Sequence, residues 1–287
     1  MTNSAASNTP VTLITGTSSG IGLEIAVQAA AAGHTVVATM RDLGKATALR
    51  AAAEAAGVTL DIKQLDVTDA ASIQSALADT VRDHGRLDAL VNNAGAGHVG
   101  TIEVEGIAAV RDVMEVNFFG VVATTEAALP LLRAAGGRLV TVTSVGGAIG
   151  QPFSEAYCAA KFAVEGFMES LAPVAKTVGV SVSVVEPGAV GSDFVANIGM
   201  DAAAMVEASG PYGPALGAYL ARSRQSFSAA QSSADAAATI VELLGATDPA
   251  PRIQTSAGAS AFVGTKYSDL DGTAVVALTS GWVAAAQ

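Results

Sequence analysis

Short apolar, β-branched runs alternate along this chain with longer alanine-rich stretches whose apolar residues recur at helical spacing. The runs are Val11–Thr15, Thr35–Ala38, Thr59–Leu65, Leu87–Val91, Arg138–Thr143 and Val180–Val185. They are nearly continuous rather than alternating, which predicts strands buried on both faces of a parallel sheet. The stretches between them predict helices over Ile21–Ala32, Leu43–Ala56, Ala70–His84, Ile107–Ala135 and Ser154–Val178. Gly33, Gly57, Gly85, Gly136 and Gly179 fall just past the five helix ends, where a left-handed cap is wanted. The fold class that follows is α/β, a doubly wound parallel sheet with helices on both faces and right-handed crossovers.

After Pro187 the rhythm breaks. The segment Ser192–Phe227 carries Met200, Met205, Tyr212, Tyr219 and Phe227, with Gly and Pro interruptions at Gly210–Pro214. It reads as a helical flap over 192–230, or as a helical hairpin that only packs. A helix at Ala234–Leu244, a short strand near Arg252–Thr255 and an irregular tail complete the chain. No linker divides it, so residues 10–287 read as one domain behind a flexible polar leader of residues 1–9.

Composition narrows the functional classes. Half of the 287 residues (51%) are apolar and 14% are charged, so a large core can form and disorder is disfavoured. The balance of 15 basic against 26 acidic side chains, a net charge of −11, argues against nucleic-acid partners and anionic membrane surfaces. A single cysteine, Cys158, permits no intrachain disulfide and no thiolate metal cluster. It reads as a small helix-packing residue. His34, His84 and His98 are scattered and read as solvated or loop residues; no metal-ligand spacing appears. With no basic residue before Arg41 and no late apolar run long enough to span a bilayer, a cytoplasmic protein without membrane insertion is expected.

Two stretches carry chemistry. The first strand runs into Thr15-Gly16-Thr17-Ser18-Ser19-Gly20-Ile21-Gly22 and then a helix. Glycines there let backbone approach a pyrophosphate, whose charge meets the N–H groups of the helix start. In Tyr157-Cys158-Ala159-Ala160-Lys161, one helical turn places a phenol and an ammonium on the same face. A nearby cation favours the phenolate and is expected to draw its pKa down from near 10, into the range of a general acid or base. At the end of the second strand, Met40 stands where an acidic residue would bind the ribose 2′-hydroxyl of NAD, and Arg41 follows it. A guanidinium can neutralise a 2′-phosphate. NADP(H) is therefore favoured, with Ser18 and Ser19 as further phosphate contacts; should Asp42 turn inward, NAD(H) competes.

The spacing Gly16-x-x-x-Gly20-x-Gly22 resembles that of the short-chain dehydrogenase/reductase family. Further matches follow in order: Asp66, then Asn92-Asn93-Ala94-Gly95, Asn117, Ser144, Tyr157, Lys161, and Pro187-Gly188 with Val190 and Ser192 after it. Ala38–Leu43, Ser144–Gly147 and Tyr157–Leu171 are similar to the 17β-hydroxysteroid and retinol dehydrogenase branch. The resemblance covers Val11 to Ser192 and implies a Rossmann-like domain. It implies that Tyr157 is the general acid in carbonyl reduction, that Lys161 lowers the phenol pKa and binds the nicotinamide ribose, that Ser144 polarises the substrate oxygen, and that Asn117 holds a relay water. It places Asp66 at the adenine and Asn93, Ala94 and Gly95 along the cofactor, with Asn92 a brace between strands. Asp69 is the better candidate for a helix cap. Ser192 replaces the threonine usual in the family but keeps a hydroxyl for the nicotinamide amide.

The expected function is NADP(H)-dependent hydride transfer between nicotinamide and a carbonyl or secondary alcohol. The flap's Met, Tyr and Phe residues, with Val145, Pro152 and Phe153, point to an apolar substrate, such as a ketone, steroid or retinoid. A 3-oxoacyl-carrier-protein reductase and a non-catalytic NADP-binding redox sensor are the alternatives. The resemblance also implies a homodimer or homotetramer, joined through the long helices at Ile107–Ala135 and Ser154–Val178.

Overall fold

A computed structural model describes residues 9–191, 201–228 and 230–284. The central sheet has seven strands in the order β3-β2-β1-β4-β5-β6-β9. In chain order these are β1 (Val11–Thr15), β2 (Thr35–Met40), β3 (Asp61–Gln64), β4 (Ala89–Asn92), β5 (Arg138–Val142), β6 (Ser181–Glu186) and β9 (Arg252–Gln254). All six pairings are parallel, with Val11 opposite Thr35 and Thr12 opposite Ala89 on the two sides of β1. Winding reverses between β1 and β4, which opens a crevice beyond the carboxyl ends of those strands.

The continuous apolar runs are explained by the pleat. Successive side chains point to opposite faces. Leu13, Leu90 and Leu139 bury into one layer, while their neighbours Ile14, Val91 and Val140 bury into the other. The first layer is closed by α3 (Ala70–His84), α5 (Gly120–Ala135) and α6 (Glu155–Lys176), through Ile73, Leu132, Val164 and Met168. The second is closed by α1 (Gly20–Ala31), α2 (Thr47–Ala56) and α9 (Ser233–Gly245), through Ile25, Leu49 and Ile240.

The five glycines expected past helix ends all have positive φ. Asp69 caps α3, accepting the N–H of Ala71 at 2.8 Å.

Three expectations need correction. The long helix at Ile107–Ala135 is two helices: α4 (Ile102–Met114), broken early at Gly106 (φ 71°, ψ −178°), and α5, joined by a π turn over Glu115–Phe119. The helix at Leu43–Ala56 starts as a 3₁₀ turn at Leu43–Lys45, because the Asp42 carboxylate accepts the Gly44 N–H and caps it. The irregular tail contains helices α10 (Ala257–Ser268) and α11 (Thr273–Ser280). Their small residues and poor amphipathic pattern hid them, since packing rather than periodicity holds them in place.

The flap region contains α7 (Ala202–Ala208) and α8 (Gly213–Ser228), with β7 (Val190–Gly191) paired to β8 (Gln231–Ser232) at its base. Leu216, Tyr219 and Leu220 of α8 bury against Phe153, and Met205, Tyr212 and Trp282 pack around them. Trp282 stacks on Phe262 of α10 and lies under Arg222 of α8, so the tail closes onto the flap. Met200 and Ser192 lie outside the described residues.

Candidate active site

The site is assembled from loops at the carboxyl ends of β1, β4, β5 and β6. After β1, Gly16 (φ 72°) and Gly20 (φ 59°) take backbone conformations that side chains resist. Space matters as much as torsion at Gly22: a Cβ there would lie 2.2 Å from the Gly16 carbonyl and 2.3 Å from Asn93 Nδ2. The start of α1 is thus pressed onto the glycine turn. Ser19 takes the N-cap position without a side-chain cap bond, and no acidic residue occupies the first turn. Those features suit an anionic group placed at Ser18–Gly22.

The loop after β4 is tied to that turn. Asn93 Nδ2 donates to the Thr15 and Gly16 carbonyls, both at 2.9 Å, and Thr15 Oγ1 accepts the N–H groups of Asn93 and Ala94. Asn92 ties β4 mainly to α5, donating to Thr125 Oγ1 at 2.9 Å, and reaches Thr141 Oγ1 of the neighbouring strand β5 only at 3.5 Å. Asn117, buried in the π turn, donates to the Ala96 and Val113 carbonyls and accepts the Ala96 N–H at 3.1 Å. The amide that was expected to hold a relay water spends both its protons on clamping the 94–96 loop to α4. Gly95 leaves room beside it: a Cβ there would come within 2.9 Å of Asn117 Oδ1 and 3.6 Å of Lys161 Nζ.

Beyond β5, Ser144 and Tyr157 share a hydrogen bond, and Ser144 Oγ also accepts the Gly146 N–H at 3.0 Å. The Lys161 ammonium sits 5.8 Å from the centroid of the Tyr157 ring and donates to the Val142 carbonyl at 3.2 Å. The phenol and lysine therefore converge as the helical spacing requires.

Their charges differ from expectation. Burial pushes the phenol up to about 12, the Ser144 bond opposing it, rather than the lysine drawing it down. Burial likewise pulls Lys161 down to about 8, against the Glu165 carboxylate, which raises it. Desolvation outweighs pair attraction here. At neutral pH the protein alone thus presents a phenol with its proton in place and a charged lysine, the state a proton donor needs.

Of the cofactor candidates, Met40 buries in the core and Arg41 is exposed at the end of β2. Asp42 is committed to its cap at Gly44, 2.9 Å away. Asp66 accepts the N–H and hydroxyl of Thr68 at 2.9 and 2.7 Å. The Pro187 carbonyl accepts the Val145 N–H at 3.0 Å, Gly188 faces Ala259 of α10, and Val190 is buried in β7. Phe153, which supports the flap, holds φ 54°, a strained value outside glycine.

His34 and His98 lie in loops as expected, His84 ends α3 instead, and all three are half-buried with partners. His34 bonds Thr12 Oγ1 at 2.8 Å, His84 bonds Asp61 at 2.8 Å, and His98 pairs with Glu105 at 3.1 Å. Cys158 is buried, its thiol pushed up to about 11, and it packs as expected. Sequence reasoning missed the network of Glu165, Glu186 and Arg252 behind Lys161. A glutamate one turn past that lysine, on the same helix face, was the available signal.

Comparison with known proteins places the site in context. The short chain dehydrogenase family model matches residues 10–203. Retinol dehydrogenase 8 of Bos taurus is 41% identical over 274 residues, covering 92% of this chain and 87% of its own length. Estradiol 17-beta-dehydrogenase 1 of Rattus norvegicus is 45% identical over 191 residues, covering 64% of this chain and 55% of its own. Among solved structures, a short-chain dehydrogenase from Streptomyces avermitilis superposes with a TM-score of 0.75 at 31% identity, covering 95% of this chain and 98% of its own.

Proposed function

The chain belongs to the short-chain dehydrogenase family, as an oxidoreductase acting on CH–OH donors, and from that premise we propose that it is an NADP(H)-dependent enzyme for apolar ketones and secondary alcohols. The observation that carries this reading is the convergence of Ser144, Tyr157 and Lys161 beside the turn that Gly16 and Gly22 form. A dinucleotide fits the residues present: a cradle that any Cβ would fill, and an α1 start free of acidic competition. Gly16, Ser18, Ser19, Gly20, Ile21 and Gly22 would hold its phosphates, and Asn93–Gly95 and Pro187–Gly188 its nicotinamide side. When bound, it supplies or accepts the hydride.

The chain's own residues handle the proton. In carbonyl reduction, Tyr157 gives its proton to the substrate oxygen as negative charge develops there, and Ser144 donates a second hydrogen bond to that oxygen. Lys161 keeps a positive charge beside the resulting phenolate. In alcohol oxidation the same phenolate takes the proton back. The surroundings are apolar: Phe153, Leu216, Tyr219 and Leu220 form a buried cluster under the flap, and Val145 and Ile149, just after Ser144, form another with Ala259 and Val263. Apolar clusters beside Ser144 and under the flap support a lipophilic substrate, in keeping with relatives named for retinol and estradiol.

NADP(H) is favoured because Arg41 is exposed while Asp42 is occupied with its own turn. Replacing Arg41 with alanine should raise the KM for NADPH by roughly ten- to hundredfold and leave that for NADH nearly unchanged. An equal effect on both cofactors would remove the 2′-phosphate contact. Exposed Phe119 and Phe162, on the π turn and α6, support self-association through these helices.

The deciding test is a screen of NADPH and NADH against a panel of ketones, with the reverse reaction on the matching alcohols. Consumption of NADPH with an apolar ketone is expected. Activity only on carrier-linked thioesters, or no turnover with tight cofactor binding, would overturn the reading.

A further inference from the structure

Behind Lys161 lies a buried cluster that the reaction as described leaves unused. Glu165, one turn beyond Lys161 on α6, is 5% exposed, and Glu186, the last residue of β6, is fully buried. The two carboxyl groups are in contact, and Glu186 Oε1 has no hydrogen-bond partner among the described residues. Arg252 of β9 reaches both, with Nη2 3.3 Å from Glu165 and Nε 3.4 Å from Glu186; it also reaches Glu169 at 3.0 Å. Gln254 donates to Glu186 Oε2 at 2.5 Å. Tyr267 of α10 covers the guanidinium with its ring 5.0 Å away. The charged and titratable groups facing the pair are thus Lys161 and Glu169 on α6, Arg252 on β9 and Tyr267 on α10.

Proton counting constrains this cluster. Two buried carboxylates in contact repel each other, and the single guanidinium of Arg252 offsets only one of the two charges, so the pair holds one proton. Thr143 adds an independent argument. Its hydroxyl has a single proton but touches two acceptors, Glu165 Oε1 and the Val185 carbonyl at 3.0 Å. Both contacts are satisfied when Glu165 carries a proton and donates it to Thr143, which donates onward to Val185. The cluster also touches three parts of the site. Thr143 precedes Ser144, Glu186 precedes Pro187, and Glu165 follows Lys161 by one turn.

We propose that Glu165 and Glu186 are positioning residues that hold one shared proton and, through Glu165, set the charge of Lys161. The inference rests on the catalytic reading above. Burial raises both carboxyl groups, Glu165 to about 7, so the proton they hold exchanges near neutral pH. An ionised Glu165 favours the Lys161 ammonium; a protonated one releases that hold.

The test compares kcat/KM for a ketone, at saturating NADPH, across pH in the wild type, Glu165→Gln and Glu186→Gln. Glu165→Gln removes the carboxylate nearest Lys161, so the limb on which activity falls with rising pH should move acidward by roughly one unit. Glu186→Gln removes a like charge beside Glu165 and favours its ionised form, so the same limb should move the other way. Opposite displacements support the proposal, because a merely structural pair would lower stability without moving the limb in two directions. An unmoved limb in folded variants, or shifts of one sign in both, overturns it.

A second measurement is independent of turnover. Glu165 has a folded pKa near 7 against an ordinary value of 4.5. Its stabilising contribution is therefore fully present below pH 4.5 and is lost as pH rises through 7. The Tm of the wild type relative to Glu165→Gln should fall across that window. A flat difference overturns the shared proton even if the wild type proves inactive on ketones, so this failure is separable from failure of the functional reading.

Discussion

Replacing Tyr157 with phenylalanine should cut ketone reduction by about a thousandfold or more, the range that a positioned general acid contributes. The substitution deletes one oxygen and little else. The ring stays packed against Val113, Ala156 and Ala160, and Lys161 keeps its bond to the Val142 carbonyl. NADPH affinity should therefore change by less than about threefold, since nothing in the glycine cradle is touched. Ser144 loses its phenol partner but remains anchored by the Gly146 N–H. A drop in kcat with an unaltered NADPH Kd, read by nucleotide fluorescence and single-turnover rates, is the expected outcome. Turnover within tenfold of the wild type would show that another group delivers the proton.

The second large effect should come from Gly22→Ala, a change of one methyl in the glycine turn. Its Cβ would meet the Gly16 carbonyl and Asn93 Nδ2 at distances no carbon tolerates, and both belong to the frame of the cleft. Backbone cannot rotate aside as a long side chain can, so α1 must back away from the glycine turn. That movement breaks the Asn93 bonds to Thr15 and Gly16 and draws the helix N–H groups away from the pyrophosphate. NADPH affinity should fall by at least about a hundredfold, and stability by about 1–3 kcal/mol, the usual cost of overpacking. Cofactor titration and thermal unfolding measure the two separately. A variant that binds NADPH normally would mean that the helix start does not hold the phosphates.

The two effects show why the site could be read in advance only in part. Tyr157 and Lys161 were legible because helical spacing alone puts them on one face, and the glycine turn because a strand and a helix bracket it. Arg41 was legible as an exposed cation, but that Asp42 faces Gly44 rather than the cleft depended on a 3₁₀ turn that no periodicity announces. Asn117 was identified, yet its hydrogen bonds follow from a π turn that adds a residue to an otherwise continuous helical pattern.

What the linear order of residues determined by itself was local and periodic. Unbroken apolar runs demanded strands covered on two sides, glycines marked the helix ends, and spacing paired phenol with lysine. Folding decided everything that depends on distant segments meeting in a medium poor in water. Burial sent Tyr157 up and Lys161 down, although their proximity alone argued the reverse for the phenol. The same enclosure brought Glu165, Glu186 and Arg252 together from α6, β6 and β9. Proximity along a helix is written in the chain, but the cost of keeping a charge there is set by what the rest of the protein packs around it.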